Sequence, residues 1–341
     1  MKLPRCVHEK HGSYYLVKQN RWTRLCPVKD GLPGIYRALA ALMTDFEAKD
    51  DRMPAVVAQW QVEIGAGHSK KTRDNEAYML REISHAFADF RAVEVRPSSV
   101  IKFLKQFRSM ARTHNGYRSM LRELMRFAEA NDYRDPGTNP VDSVPTMTLK
   151  ARSRYITDSE LRRIKVGAIY ANPHPVTGHK FRNRSGLMLC ALVDLAYLTG
   201  QRIGDLLTLK WSQVRQDGIL FEPAKVENST GVKVLIEWTP QLRAVVSRLK
   251  ELKRGDITAY MVTTQTGQRF TYSGASSAWK RAVKRAGVRG VTFHDLRARA
   301  LTDVDGKRGI GAAQVMGGHS TQSQTADYVR HKTARKTGAT R

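Results

Sequence analysis

Two stretches toward the C-terminal end carry residue types able to break a phosphodiester. Thr292-Phe293-His294-Asp295-Leu296-Arg297 is followed by Met316-Gly317-Gly318-His319-Ser320, and Tyr328 stands nine residues beyond His319. Upstream, Arg202 sits in Thr199-Gly200-Gln201-Arg202-Ile203-Gly204-Asp205-Leu206-Leu207. Attack by a nucleophile on phosphorus builds negative charge on the equatorial oxygens, and guanidiniums meet those oxygens with bidentate hydrogen bonds. A tyrosine phenol can serve as that nucleophile, and the phosphotyrosine it forms conserves the bond energy for rejoining. A general acid must protonate the leaving 5′ oxygen, and a base takes the phenol proton. Preorganised cations can supply the stabilisation, so this chemistry calls for no metal ion and no cofactor.

Each residue also has a plainer reading. Arg202 follows a buried run and a Gly-containing turn, where arginines also form helix-end ion pairs. Within a helix-turn-helix around Leu198-Thr199-Gly200-Gln201 it would read bases instead. His294 and Arg297, at i and i+3, share a helix face, while Phe293 and Leu296 point to the core. His319 follows two glycines, which suit a helix end and a close approach of backbone to ligand, but a capping histidine sits there too. Tyr328 alone could be a packing tyrosine. The order and spacing of the set are more specific than any member. A metal-dependent nuclease would need clustered carboxylates. The nearest approach is Asp303 with Asp305, which reads as a helix-end turn.

The elements that must position these groups are mostly helical. At 341 residues the chain is expected to form two or three domains. Ser13–Val17 and Arg21–Leu25 are short aromatic and β-branched runs, so residues 1–50 read as a small β unit followed by a helix near 34–48. Residues 51–134 read as a helical bundle. Pro54 suits a first helical position, and Val100, Leu104, Phe107 and Ala111 fall at helical spacing, continued by Met120, Leu124 and Phe127. Its other faces carry Lys102, Lys105, Arg108, Arg118, Arg122 and Arg126. Residues 135–154, with Asp135-Pro136-Gly137, Asn139-Pro140 and Pro145, read as a linker. A mixed domain, 155–330, follows. Thr157-Asp158-Ser159-Glu160 offers helix-capping residues, and Gly186–Leu198 forms a nearly all-apolar helix. Ile219–Phe221 and Val232–Ile236 read as strands joined by a polar hairpin, and Ser273–Ala286 as an amphipathic helix. Residues 331–341 form a basic tail. The fold class is mainly α with small β-sheets, α+β.

Charge points to the partner. The chain carries 58 Lys+Arg against 31 Asp+Glu, a formal net charge of +27. Residues 151–341 hold 33 of the basic and 14 of the acidic residues. A cationic surface of that kind attracts nucleic acid. The three cysteines, Cys6, Cys26 and Cys190, make neither a disulfide framework nor a Cys-x-x-Cys metal site. The longest apolar run, 187–198, contains Asp194 and is too short to span a bilayer. No signal-peptide pattern opens the sequence. The expectation is a soluble, cytoplasmic protein with no membrane partner.

The Arg202 motif, His294-Asp295-Leu296-Arg297, and Gly318-His319-Ser320 with Tyr328 beyond it together resemble the tyrosine recombinase (phage integrase) family. The signature covers the C-terminal 185 or so residues. More weakly, the helical middle is similar to that family's core-binding domain and the N-terminal strands to its arm-binding domain. The resemblance implies that Tyr328 is the nucleophile forming a covalent 3′-phosphotyrosine, and that Arg202 and Arg297 clamp the scissile phosphate. It further implies that His294 assists proton transfer and that His319 hydrogen-bonds the phosphate. The family also uses a β-hairpin lysine as general acid, usually just before Thr-Gly. Ser229 stands there in this chain, so the role passes to Lys225, near the tip of the hairpin, with Lys233 as the rival. The implied function is site-specific recombination, integrating or excising a mobile element or prophage in a bacterial cell or phage-infected host. The implied partners are double-stranded DNA at core and arm sites, three further copies in a homo-tetramer, and an accessory DNA-bending protein. The alternatives are a type IB-like topoisomerase and a non-catalytic DNA-binding protein.

Overall fold

The computed structural model describes residues 3–18, 21–44, 50–150, 152–173, 176–179, 181–222, 233–252 and 259–329. The chain divides into two compact units, Met1–Lys150 and Ala151–Arg341.

In the first unit, strands β1 (Val7–Lys10), β2 (Ser13–Lys18) and β3 (Arg21–Pro27) form an antiparallel sheet in sequence order. Helix α1 (Gly31–Thr44) packs on β3. A small core of Val7, Tyr14, Cys26 and Ile35 holds this piece together. Sequence reading found β2 and β3 but not β1, whose Val-His-Glu-Lys buries a single side chain.

The bundle comprises α2 (Met53–Glu63), α3 (Lys70–Ala86), α4 (Pro97–Leu104) and α5 (Ala111–Ala130). Pro54 occupies the first turn of α2, where its missing N–H breaks no helix bond. Trp60, Leu80, Ile83, Leu104, Leu121 and Leu124 fill the core.

The turn-rich stretch expected to link domains belongs to the first unit as far as Lys150. Much of it is strapped to α5. Asn115 donates to the Met147 carbonyl and accepts from the Met147 N–H, both at 2.8 Å. Arg118 donates to the carbonyls of Val144 (2.5 Å) and Val141 (3.3 Å), and Arg122 pairs with Asp142. Val141 and Val144 are buried in the bundle core. Two arginines of the expected basic side are therefore engaged inside the unit, while Lys102, Lys105, Arg108 and Arg126 remain exposed.

The second unit is built around α7 (Gly186–Thr199). It is buried on nearly all sides, as its apolar sequence requires. Its one carboxylate, Asp194, pairs with Lys165 at 2.6 Å and Arg248 at 3.2 Å. Helix α6 (Asp158–Ile169) opens with a capping box: the Thr157 hydroxyl accepts from the Glu160 N–H, and Glu160 accepts from the Thr157 N–H. Then come α8 (Ile203–Thr208), the antiparallel pair β4 (Gly218–Phe221) and β5 (Val234–Glu237), α9 (Pro240–Leu252) and α10 (Tyr272–Arg285). Helix α11 (His294–Gly317) is broken at Gly309 (φ 82°, ψ 168°), and α12 (Gln322–Ala326) is a single short turn. Among the described residues, no helix is long and apolar enough to cross a membrane. The architecture is mainly helical with small sheets, as the sequence predicts.

Candidate active site

Three chain segments converge on one spot. The turn after α7 carries Arg202, the first part of α11 carries His294 and Arg297, and the segment from the end of α11 through α12 carries His319 and Tyr328.

Arg297 organises the spot. It is 2% exposed, and its guanidinium reaches two other segments. Nη1 donates to the Gly200 carbonyl at 2.8 Å, and Nη2 donates to the Gly317 carbonyl at 2.7 Å. Nη2 also lies 2.6 Å from Nε2 of His319. Gly200 caps α7 in the left-handed region (φ 65°), a conformation that costs glycine nothing. Gln201 adds a stitch: its Nε2 donates to the Met316 carbonyl at 2.7 Å. The turn before Arg202 is thereby tied to the helix end before His319.

The two glycines before His319 have separate duties. A Cβ on Gly317 would fall 2.9 Å from the His319 ring, so a larger residue would push the imidazole away from Arg297. Gly318 closes α11 in the left-handed region (φ 58°). His319 is 8% exposed, and its Nδ1 lies 3.0 Å from the Thr325 hydroxyl.

Tyr328 packs against His319, His294 and Arg297. Its ring centroid is 5.0 Å from that of His319, nearly stacked, and 5.2 Å from that of His294. The Arg297 Cζ lies 5.1 Å from the same ring. His294 and Arg297 do share the first turn of α11, but at different depths: His294 is exposed and Arg297 is buried, together with Phe293 and Leu296.

The electrostatics show that the two arginines belong to one site. Burial pushes Arg297 down to about 10, and repulsion from Arg202 adds to this, while Tyr328 and Asp205 pull the other way. His319 is pushed down to about 4, first by burial and then by Arg297 and Arg202. Burial raises the carboxyl of Asp205, opposed by Arg202 and Arg297. Two buried donors, Nη1 of Arg202 and Nε of Arg297, have no hydrogen-bond partner among the described residues. Buried donors are rarely left unsatisfied, and a pair from adjacent guanidiniums suits the oxygens of a phosphate.

Arg202, His294, Arg297, His319 and Tyr328 are thus brought together. Lys225 lies outside the described residues, as does the tail beyond Val329. Lys233 is exposed and ion-paired with Glu222 across the base of the hairpin at 2.6 Å. Of the acidic pair considered as a metal site, Asp303 accepts from the hydroxyls of Tyr155 (2.6 Å) and Tyr197 (2.8 Å), which is a packing role.

Sequence reading assigned no work to Gln201, Asp205, Asp295 or Thr325. Asp295 is almost fully buried. It accepts from the N–H and hydroxyl of Thr292 and pairs with Arg152 at 2.7 Å, which fixes the start of α11. Its place between His294 and Arg297 was the available signal. Thr325, one hydroxyl among Ser320, Thr321, Ser323 and Thr325, gave none.

Fold and site define a tyrosine recombinase, an enzyme that transfers DNA strands. The chain belongs to the phage integrase family, whose model matches residues 160–335. It is 24% identical to the integrase of Escherichia phage HK022 over 272 residues, covering 77% of this chain and 71% of the relative. It is 25% identical to the integrase of Enterobacteria phage 434 over 276 residues, with the same shares covered. In fold it is similar to a lambda integrase dimer bound to a COC′ core site, with a TM-score of 0.70 and 20% identity, covering 100% of this chain and 99% of that one. The Tn1549 transposon integrase in complex with circular intermediate DNA gives a TM-score of 0.64 at 15% identity, covering 83% and 96%.

Proposed function

We propose that the chain is a site-specific recombinase of integrase type, in which Tyr328 cleaves one DNA strand and holds it as a covalent 3′-phosphotyrosine. The observation that carries this reading is the packing of Tyr328 against His294, His319 and Arg297, beside two guanidiniums whose buried donors Arg202 Nη1 and Arg297 Nε find no partner among the described residues. The phenol oxygen attacks phosphorus, and the bond to the 5′ oxygen breaks. Arg202 and Arg297 stabilise the charge that gathers on the equatorial oxygens. His294, exposed beside the phenol ring, assists the transfer of its proton. His319 hydrogen-bonds the phosphate. Lys225, which falls in sequence between β4 and β5, protonates the leaving oxygen. Lys233 is the poorer choice for that step because Glu222 already engages its ammonium.

The substrate is duplex DNA, held at a core site by the 51–134 bundle and the 155–330 catalytic unit. The 1–50 unit takes a separate arm site. Binding both on one molecule requires bent DNA, hence an accessory DNA-bending protein. Strand exchange between two duplexes needs four active sites, and lambda integrase, similar in fold, forms a tetramer on a Holliday junction. The reaction takes place in the cytoplasm of a bacterial cell, integrating or excising a mobile element.

The test is a trapping experiment. The full chain is mixed with a pool of nicked duplexes of randomised sequence in EDTA, and adducts that survive denaturation are collected. Loss of the short 5′-hydroxyl fragment between the scissile phosphate and the nick makes cleavage irreversible. The wild-type chain should form adducts and enrich a sequence, and Tyr328→Phe should form none while still binding DNA. Adducts with Tyr328→Phe, or none with the wild type, would remove this reading. Adduct formation without sequence preference would favour a topoisomerase.

A further inference from the structure

Two side chains join the turn that carries Arg202 to the helix end that precedes His319. Arg297 is one, bonded to the Gly200 and Gly317 carbonyls. Gln201 is the other, and it is 2% exposed. Its Nε2 lies 2.7 Å from the Met316 carbonyl and 3.1 Å from the Thr199 carbonyl. Both partners are acceptors, so the NH2 edge of the amide faces them and both of its protons are committed there. On the other edge, Oε1 is buried and has no hydrogen-bond partner among the described residues. A buried amide with an unanswered oxygen fills space poorly. Methionine has the same reach and no such oxygen. The position therefore calls for the two donors, not for the volume.

The two bridges differ in charge. The Arg297 guanidinium is repelled by that of Arg202, so the bridge that draws the turn in also pushes on the next residue. Gln201 is neutral, and its hold on Met316 does not depend on how many positive charges gather nearby. Arg202 follows directly and starts α8, its carbonyl accepting from the Leu206 N–H at 3.1 Å. A shift of the turn would carry the guanidinium with it.

We propose that Gln201 is a positioning residue for Arg202: its amide fastens the turn to the end of α11 and keeps the Arg202 guanidinium beside that of Arg297 before a phosphate arrives to neutralise the pair. This rests on the reading of the site given above. Cations gathered in advance need no reorganisation at the moment of reaction, which is where electrostatic catalysis gains most.

The test uses the full chain with Gln201→Met, which keeps the reach and removes the donors. The first readout needs no cleavage: hydrogen exchange of DNA-free protein, followed by mass spectrometry over residues 199–209, should be faster in the variant. The second is the rate of adduct formation at saturating DNA, on nicked duplexes recovered in the wild-type trapping experiment. Gln201→Met should slow it about tenfold, the order of one hydrogen bond, with DNA affinity and the urea midpoint close to wild type. The third is the same substitution in an Arg202→Lys background, whose slow cleavage still accumulates on nicked DNA. With no guanidinium left to position, the further loss should be under about threefold. Gln201→Asn, whose amide falls one methylene short of Met316, should lose in the same way and serves if the methionine variant does not fold.

Unchanged exchange across 199–209 would overturn the proposal, and so would an unchanged rate. A full tenfold loss in the Arg202→Lys background would overturn it too, since Gln201 would then act on something other than Arg202. If the wild type forms no adduct at all, the recombinase reading falls, and the exchange measurement alone decides whether Gln201 holds the turn.

Discussion

The ring of Tyr328 lies against that of His319, with centroids 5.0 Å apart and planes inclined by 27°. The phenol ring of Tyr328 thus packs on a buried imidazole whose Nε2 lies 2.6 Å from the Arg297 guanidinium. Stacking over a neutral ring needs no counter-ion, whereas a protonated His319 would put a third positive charge beside Arg202 and Arg297. Burial and the two arginine charges together disfavour the imidazolium.

Acid stability follows from that relationship. His319 is held at about 4, below its ordinary 6.5, by burial and by the repulsion of Arg297 and Arg202. A depressed histidine pKa means that the unfolded chain binds more protons than the folded one between these values. Its contribution is fully present above about pH 6.5 and is lost as pH falls toward 4. At pH 5 the loss is about 2 kcal/mol. Urea unfolding of the wild type and of His319→Gln, followed from pH 7 to 5, should show a shallower pH slope in the variant. Parallel slopes would show that His319 is not buried neutral.

Asp295 holds the start of α11 and should matter for stability before chemistry. It is 1% exposed and accepts from the N–H and hydroxyl of Thr292 and from Arg152. Asp295→Ala leaves those donors unpaired beside the turn that presents His294 and Arg297. The expected cost is about 2–3 kcal/mol, below that of a fully buried pair because Arg152 is half exposed. Denaturant unfolding measures it, and a change under about 0.5 kcal/mol, the range of an ordinary surface substitution, would refute the assignment.

The helices and the site were legible for different reasons. The Gly186–Leu198 run matches α7 to within one residue, because an all-apolar stretch between Ser185 and Gly200 has few alternatives. Arg202, Arg297, His319 and Tyr328 could be gathered from sequence because their order and spacing resemble those of the phage integrase family. What sequence could not supply was depth. Periodicity put His294 and Arg297 on one face, but it could not say that Arg297 is buried and bonded to two carbonyls while His294 faces solvent. Tertiary hydrogen bonds to backbone oxygen leave no residue pattern. The 135–154 stretch shows the same limit: its prolines and turns signal irregular backbone, but not that side chains of α5 fasten residues 141–147 in place. Gln201 and Thr325 were invisible because each acts through a contact across many residues of chain or through one hydroxyl among several.

Close approach between α6 and α7 depends on Gly186. A Cβ there would fall 2.5 Å from the Ala168 carbonyl oxygen and 2.8 Å from the Ile169 Cα, both backbone atoms that cannot swing aside. Gly186→Ala should therefore destabilise the second unit by about 1–3 kcal/mol despite alanine's better helix propensity. Gly204→Ala is the control, since nothing lies within 4 Å of its added Cβ. Thermal unfolding of the two variants should differ clearly, and equal midpoints would contradict the packing described.

The last prediction concerns whose tyrosine cuts. Tyr328 packs within its own chain, 5.1 Å from Arg297 and 5.0 Å from the His319 ring. Its backbone N–H is tied to the Thr325 carbonyl at 2.9 Å, and Thr325 is itself bonded to His319. The nucleophile is thus anchored to the same imidazole and guanidinium that would hold the phosphate, so each subunit should cleave with its own tyrosine. Mixing Tyr328→Phe with Arg297→Gln on the trapping DNA separates the two cases. In the first variant the clamp is intact and the nucleophile is missing; in the second the reverse holds. If a tyrosine could serve a neighbour's clamp, the mixture would regain adducts, at up to roughly a quarter of the wild-type level for random pairing of two subunits. Own-chain cleavage predicts that the mixture stays as inactive as either variant alone, while both still bind DNA. Recovery of adducts in the mixture would mean that the segment carrying Tyr328 leaves its own site on DNA, and that the stacking on His319 belongs to the free protein only.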